Sequence, residues 1–205
     1  MLGGEHKMDI KLETYNPQKH DQDKLAELIF ASDPEMNGIV YGEKPLEVIK
    51  TLLNVPETYF LPQYTKCVML DGDLVGVVVY YPTSKRQEVD KLAGQGFMKT
   101  MGFWGFAKRF FLYMKMEKML GGEIDDDGMY IHTLAVDSGV RGRGIGSAVI
   151  RALEQENEKM YLYVNGGNEG AIRFYKRNGF TDIFYDEMTH KGETYGEFLM
   201  EKKGS

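Results

Sequence analysis

The stretch DSGVRGRGIGSAVIRAL, residues 137–153, alternates Arg141 and Arg143 with Gly142, Gly144 and Gly146, then runs into a helical pattern. A turn leading from a strand into a helix aims free backbone N–H groups, and the positive end of the helix dipole, at one point. Glycines keep Cβ atoms away from whatever approaches, and arginines add charge and forked donors. The combination suits an anion such as a phosphate. Two familiar phosphate patterns do not fit it. A Walker-type loop needs Lys and a hydroxyl residue where Ile145 and Gly146 stand, and the dinucleotide fingerprint needs a third glycine where Ser147 stands. A plain strand–helix connector without a ligand is the other reading.

The elements that would position this turn follow from hydrophobic spacing. Residues 20–31 (Leu25, Leu28, Ile29) and 44–54 (Pro45, Leu46, Ile49, Leu53) read as helices. Residues 66–81 read as a hairpin about Asp71-Gly72-Asp73. A helical stretch over roughly 86–119 precedes a strand at 129–137, the glycine turn, and a helix over about 144–157. A strand at 160–164, a helix at 168–178 closed by Gly179, and an antiparallel pair about residues 190–193 complete the order. Such an order predicts an α+β fold, with a mixed, mostly antiparallel central sheet and helices on both faces. One domain spanning 1–205, with 85–123 as a helical insert, is expected.

Composition narrows the class. The chain has 205 residues, 42% hydrophobic, and a net charge of −6, so bulk electrostatics favour no nucleic-acid partner. The single cysteine, Cys67, suits a reducing compartment. The opening MLGGEHKMDIK has no apolar signal region, and no long apolar run follows, so a cytoplasmic protein is expected. No Cys/His spacing suggests zinc and no Gly-x-Ser-x-Gly elbow occurs, so no metal is expected.

A second stretch, NEGAIRFYKRNGF (168–180), places Asn168, Ala171, Phe174, Tyr175 and Gly179-Phe180 on a helix that ends in a strand. Together with LAVDSGVRGRGIGSAVI it resembles the GNAT superfamily of acyl-CoA-dependent N-acetyltransferases, closely over 129–180 and elsewhere in element order. Within it, MYIHTLAV behind a helical insert looks most like the puromycin-acetyltransferase-like branch. The resemblance implies that the anion is the pyrophosphate of acetyl-CoA, with coenzyme A as the product. It implies that Leu134, Ala135 and Val136 offer backbone groups to a pantetheine arm lying between splayed strands. Arg141, Gly142, Arg143, Gly144, Ile145 and Gly146 would hold the pyrophosphate with Ser147 beside it. Asn168 and Ala171 would line the other side, next to Phe174, with Tyr175 near the sulfur.

Acetyl transfer to an amine makes two proton demands. A lysine-like amine, pKa about 10.4, must lose a proton, and the leaving thiolate gains from receiving one. Tyr175, with a reference pKa of about 10, could be the acid, or simply an aromatic packed beside Phe174. His132 lies on the strand leading to Leu134 and titrates near neutrality when unperturbed, so it is a candidate base or water-relay member, or a core histidine. Glu35 and Glu57 are alternative bases acting through water. Cys67 as an acyl carrier would give ping-pong kinetics, but a buried structural thiol fits it better. His6, His20 and His190 fall in expected tail or turn positions. The acidic run EIDDDG (123–128) reads as a solvated loop that could also draw in a cation.

The insert 85–119 carries eight Lys/Arg against three Asp/Glu. Phe97, Met101, Trp104, Phe106, Phe110, Met114 and Met119 recur closely enough for one buried face, with Gly94, Gly96, Gly102 and Gly105 as breaks. The expected role is a substrate-side cover. A homodimer contact and docking on a membrane or partner are the alternatives, as is an acyl-CoA-binding sensor without catalysis. The expected acceptor is a primary amine of a small molecule or peptide, with no nucleic-acid or membrane partner.

Overall fold

Alternation of apolar residues along the inner strands gives a sheet with two buried faces, each needing a cover of helices. The computed structural model describes residues 9–204; His6 and most of the opening segment lie outside them. The strands are β1 (Ile10–Thr14), β2 (Thr65–Leu70), β3 (Asp73–Pro82), β4 (Met129–Val136), β5 (Lys159–Asn165), β6 (Thr181–His190) and β7 (Glu193–Lys203). They form one sheet in the order β1-β2-β3-β4-β5-β7-β6, antiparallel except at β4–β5. Helices α1 (Gln22–Ser32), α2 (Pro34–Tyr41), α3 (Pro45–Leu52) and α4 (Arg86–Met119) cover one face. Helices α5 (Ile145–Glu154) and α6 (Glu169–Arg177) cover the other. The expected α+β architecture is the one observed.

Differences from the sequence reading are local. The edge strand β1 and helix α2 were not foreseen. Helix α2 begins where the Asp33 carboxylate accepts from the Met36 amide, with Pro34 in its first turn. Helix α5 ends at Glu154 rather than near 157. The β2–β3 turn carries positive φ at both Asp71 and Gly72, as a type I′ turn requires.

Two irregularities in the centre of the sheet shape the site. Val79 pairs with Thr133 but Tyr80 with Ile131, so His132 is the extra residue of a β-bulge. The bulge flips the alternation: Ile131 packs beneath α5, yet Ala135, four residues on, faces the α1 side. The parallel pair β4–β5 has only two register pairs, Met129 with Met160 and Tyr130 with Tyr161. Beyond them the two strands diverge, opening a gap in mid-sheet.

Helix α4 does not run straight. At Gly102 the backbone leaves the helical region (φ 70, ψ 167). Sixteen residues of straight helix would span about 24 Å, yet the Phe97 and Tyr113 rings lie 5.7 Å apart. The guanidinium of Arg86 also donates to the Leu120 carbonyl at 2.7 Å. The insert is therefore a helical hairpin with Gly102 at its bend. Gly94, Gly96 and Gly105 remain helical. Gly96 is needed for another reason, since a Cβ there would lie 1.8 Å from the Glu57 carbonyl oxygen. The single buried face expected of the insert is corrected: Phe97 and Met119 are buried, but Trp104 (76% exposed), Phe110 and Met114 face solvent. The bend resets the helical phase, and the two arms bury each other's inner side instead.

Candidate active site

The glycine turn is held by its own chain. The Asp137 carboxylate accepts from the Gly139 amide and pairs with Lys24, whose hydrogen bond is the main cause of its lowered pKa. Arg141 donates from Nε to the Val136 carbonyl at 3.0 Å. Gly142 and Gly144 take φ of 78° and 79°, a left-handed conformation that disfavours larger residues. Gly144 caps α5, and the first intrahelical bond runs from the Ala148 amide to the Gly144 carbonyl. The preceding first-turn amides are thus free to point outward. Gly146 lets α6 close in, because a Cβ there would meet the Phe174 ring at 2.9 Å.

In front of these groups lies a cleft of about 550 Å³. Its walls include Leu134, Ala135 and Val136 from β4, then Arg141, Gly142, Gly144, Ile145, Gly146 and Ser147 from the turn and α5. Asn168, Ala171, Phe174 and Tyr175 from α6 close the other side, and Ala31 and Ser32 from α1 close the far end. Of the residues expected around the cofactor, Arg143 alone is outside this lining, its side chain exposed. The Asn168 carboxamide oxygen caps α6 through the Ala171 amide, leaving its NH₂ group for other partners.

Tyr175 is 8% exposed, with its ring against Phe174 and Phe180. Burial raises the phenol well above its ordinary value, so it stays protonated at neutral pH. His132 stands on the opposite side of the sheet from Tyr175. It stacks 4.0 Å from Tyr59 and shares a 2.9 Å hydrogen bond between Nδ1 and Thr133 Oγ1. The ring is half-buried by surface but enclosed by Tyr59, Phe60, Tyr81 and Tyr130. Burial, helped by the Arg86 charge, pulls its pKa down to about 4. The near-neutral titration that recommended His132 as a base is therefore not its titration here. A ring neutral above pH 5 is a better relay than proton sink.

On that same side the strands bring together acids far apart in sequence. Glu197 of β7 lies directly across from Asn165 of β5, and the Asn165 amide donates to Glu35 at 3.0 Å. Burial, then the charges of Asp33 and Glu35, push Glu197 up to about 8. Asp33, Asn165 and Glu197 were not singled out from sequence. The available signal was the strand segment Tyr195-x-Glu197-x-Leu199, which puts a charge on the buried register of an alternating strand.

Other candidates are engaged elsewhere. Glu57 pairs with Lys99, which lowers its pKa. Cys67 is fully buried, and burial pushes its thiol up to about 12, which leaves it inert. His20 is not a free turn residue but a buried one, accepting at Nδ1 from the Asn16 amide. In the acidic run, Asp125 and Asp127 pair with Lys159.

Comparison with known proteins bears on this arrangement. A sequence model described as "Acetyltransferase (GNAT) family" matches residues 24–180. An uncharacterized N-acetyltransferase of Methanocaldococcus jannaschii is 46% identical over 57 residues, 25% of each chain, so the match spans about a quarter of that relative. Among solved structures, an N-acetyltransferase from Staphylococcus aureus Mu50 shares the fold with a TM-score of 0.61 at 18% identity, over 92% of this chain and 99% of that one. A second acetyltransferase gives 0.57 at 22% identity, over 95% and 100%. A GNAT family acetyltransferase from Elizabethkingia anophelis with acetyl-CoA bound gives 0.52 at 12% identity, over 95% and 97%.

Proposed function

The chain belongs to the acetyltransferase (GNAT) family, and from that premise we propose that it transfers the acetyl group of acetyl-CoA to a primary amine by direct attack in a ternary complex. The observation that carries this reading is the cleft itself, with a glycine turn and helix N-terminus at one end and Tyr175 in its wall. The residues present fit that cofactor. Free amides at the start of α5, together with Arg141, suit a pyrophosphate. The divergence of β4 from β5 leaves strand edges that an extended pantetheine arm can pair with. When bound, acetyl-CoA supplies an activated acyl group on a thioester.

The chain's own residues then do three things. The turn and α6 orient the ligand, and the apolar walls exclude water from its reactive end. Tyr175, held neutral by burial and without a protein hydrogen-bond partner among the described residues, can give its proton to the departing sulfur. His132 and Thr133 relay a proton on the acceptor side. Cys67, inert and remote from the lining, takes no acyl group.

The insert serves as a substrate-side cover, supported by the contact series Phe97–Tyr59–His132. A second reading draws on the exposed Phe103, Trp104 and Phe111 near the bend, which would suit docking on a membrane, a partner or a second copy. Co-sedimentation with anionic liposomes separates it: binding there, with no acetyl transfer to any amine, would favour docking. The direct test is calorimetry with acetyl-CoA on wild type and on Gly144→Asp, which places a carboxylate where the phosphates would sit. Affinity should fall by about 30-fold or more. Unchanged affinity in a folded variant would refute the assignment of this turn.

A further inference from the structure

We propose that Asp33, Glu35 and Glu197, with the Asn165 carboxamide, form a seat for the cationic end of the acceptor amine, and that Glu197 takes the proton the amine must lose. The proposal rests on the acetyl-transfer reading above and adds to it a substrate class and a base.

Glu197 is the informative residue. It is 5% exposed, yet its carboxylate makes no hydrogen bond among the described residues. A buried carboxylate without a donor or counter-ion is costly, and proteins seldom keep one without a reason. Its surroundings supply no cation. Asp33 and Glu35 approach it from the α1–α2 corner, Asp186 lies directly across from it on β6, and Tyr130 and Tyr163 come from β4 and β5. Arg86 is occupied beyond the tyrosines, stacked on Tyr130 and Tyr163 and bonded to the Leu120 carbonyl. Asp33 already caps α2, and Glu35 accepts from Asn165. Glu197 is left as the open acceptor in a pocket of negative charge that lacks a positive partner.

The place is right for the reaction. Asp33 directly follows Ser32, and Asn165 precedes Asn168 by one short turn; Ser32 and Asn168 both line the cofactor cleft. Glu197 and Tyr175 lie on opposite faces of the sheet beside the β4–β5 gap. The amine would enter from one face and meet the thioester through that gap.

The protons balance. The ammonium gives one proton to Glu197, which passes it to solvent. The freed nitrogen pair attacks the thioester carbonyl carbon, forming the N–C bond as the C–S bond breaks. The sulfur takes a proton from Tyr175, and the second nitrogen proton, lost as the amide forms, restores the phenol through solvent. One proton is released overall. A carboxyl lifted by burial and then by its acidic neighbours lies closer to an amine's pKa of about 10.4 than an ordinary one does, which makes it a more effective acceptor.

Three carboxylates also set specificity. An α-amino acid would bring its own carboxylate beside them, whereas the decarboxylated amine would not. The test uses three matched pairs as acceptors: n-butylamine and norvaline, phenethylamine and phenylalanine, cadaverine and lysine. Each used amine should exceed its amino acid by about tenfold or more in kcat/KM. Glu197→Gln should lower kcat/KM for the amine by about 100-fold while acetyl-CoA affinity stays within about twofold. Glu35→Gln, an exposed change that does not threaten folding, should act mainly by raising KM, about fivefold. A readout without turnover is carboxyl NMR of glutamate-labelled protein in its coenzyme A complex. One glutamate, missing in Glu197→Gln, should titrate well above the others, and n-butylamine should lower its midpoint by more than about one pH unit. A Glu197→Gln enzyme near wild-type rate, amino acids used as well as their amines, or a midpoint unmoved by n-butylamine would each overturn the proposal. Failure of wild type to bind acetyl-CoA would instead remove the transfer reading beneath it.

Discussion

The two faces of the sheet offer the proposed ligands different kinds of group. Beneath α5 and α6, the groups turned to the cleft are largely backbone, set by glycines and a helix start within 134–147, with side chains from 168–175 opposite. Beneath α1 to α4, the groups are side chains drawn from Asp33, Glu35, Tyr59, His132, Asn165 and Glu197, converging from five separate segments. A ligand part held by backbone asks for a local conformation, and local conformation needs particular residues at fixed spacing. A ligand part held by converging side chains asks only that the fold bring them together.

Experiments can break that contrast or sharpen it. The largest effect is expected at the one side chain on the α5–α6 face to which a chemical task is proposed. Tyr175→Phe removes a hydroxyl without a protein partner, so folding should be untouched while kcat falls by about 10² to 10⁴ with acetyl-CoA affinity preserved. A near-normal kcat would leave that face a pure binding surface.

On the other face, His132→Gln should lower kcat by about tenfold. The pH profile between 5 and 8 should keep its shape, because a histidine with a pKa of about 4 contributes no limb there. An acidic limb near 6.5 that disappears in the variant would show that the ring titrates normally.

The two buried titrating groups on this face also bend stability in opposite senses. Glu197 has its folded pKa raised to about 8, so between its unfolded value and 8 the folded state holds the extra proton and stability falls as pH rises. His132 has its folded pKa lowered to about 4, so the unfolded state binds the extra proton and stability falls as pH drops from about 6.5 towards 4. Glu197→Gln should therefore gain Tm over wild type, by about 3 °C or more, on going from pH 5 to pH 8. A gap that stays constant would mean the carboxyl is not perturbed. Smallest of all, Cys67→Ala should retain activity within about twofold. A dead variant with parallel initial-rate plots would replace direct transfer by an acyl-enzyme.

Legibility in the sequence tracks the same contrast. Alternation and helical spacing revealed most elements, and the glycine turn with the 168–180 helix marked out residues that line one cleft, because each depends on neighbours in the chain. Helix α2 escaped notice since PEMNGIVY is short and contains a glycine, and its identity depends on Asp33 as a cap. The bend of α4 was concealed among four glycines of which only Gly102 leaves the helix. Glu197 was hidden more deeply. Its burial comes from pairing between β5 and β7 and from the α1–α2 corner above, neither of which is a property of residues 193–203 alone.

The brevity of the β4–β5 ladder has a consequence for the protein's life in solution. Past Tyr130 and Tyr161, the sheet has two inner rims whose peptide groups are not joined to each other. Open rims of this kind invite strand addition from other chains, and proteins usually cover them. A ligand that fills the gap would act as the missing strand, and at 100 times its dissociation constant it would add about 2.7 kcal/mol to the folded state. With coenzyme A as the proposed occupant, the fraction of intact, unaggregated protein should rise with its concentration, which couples the chain's survival to the same ligand as its turnover.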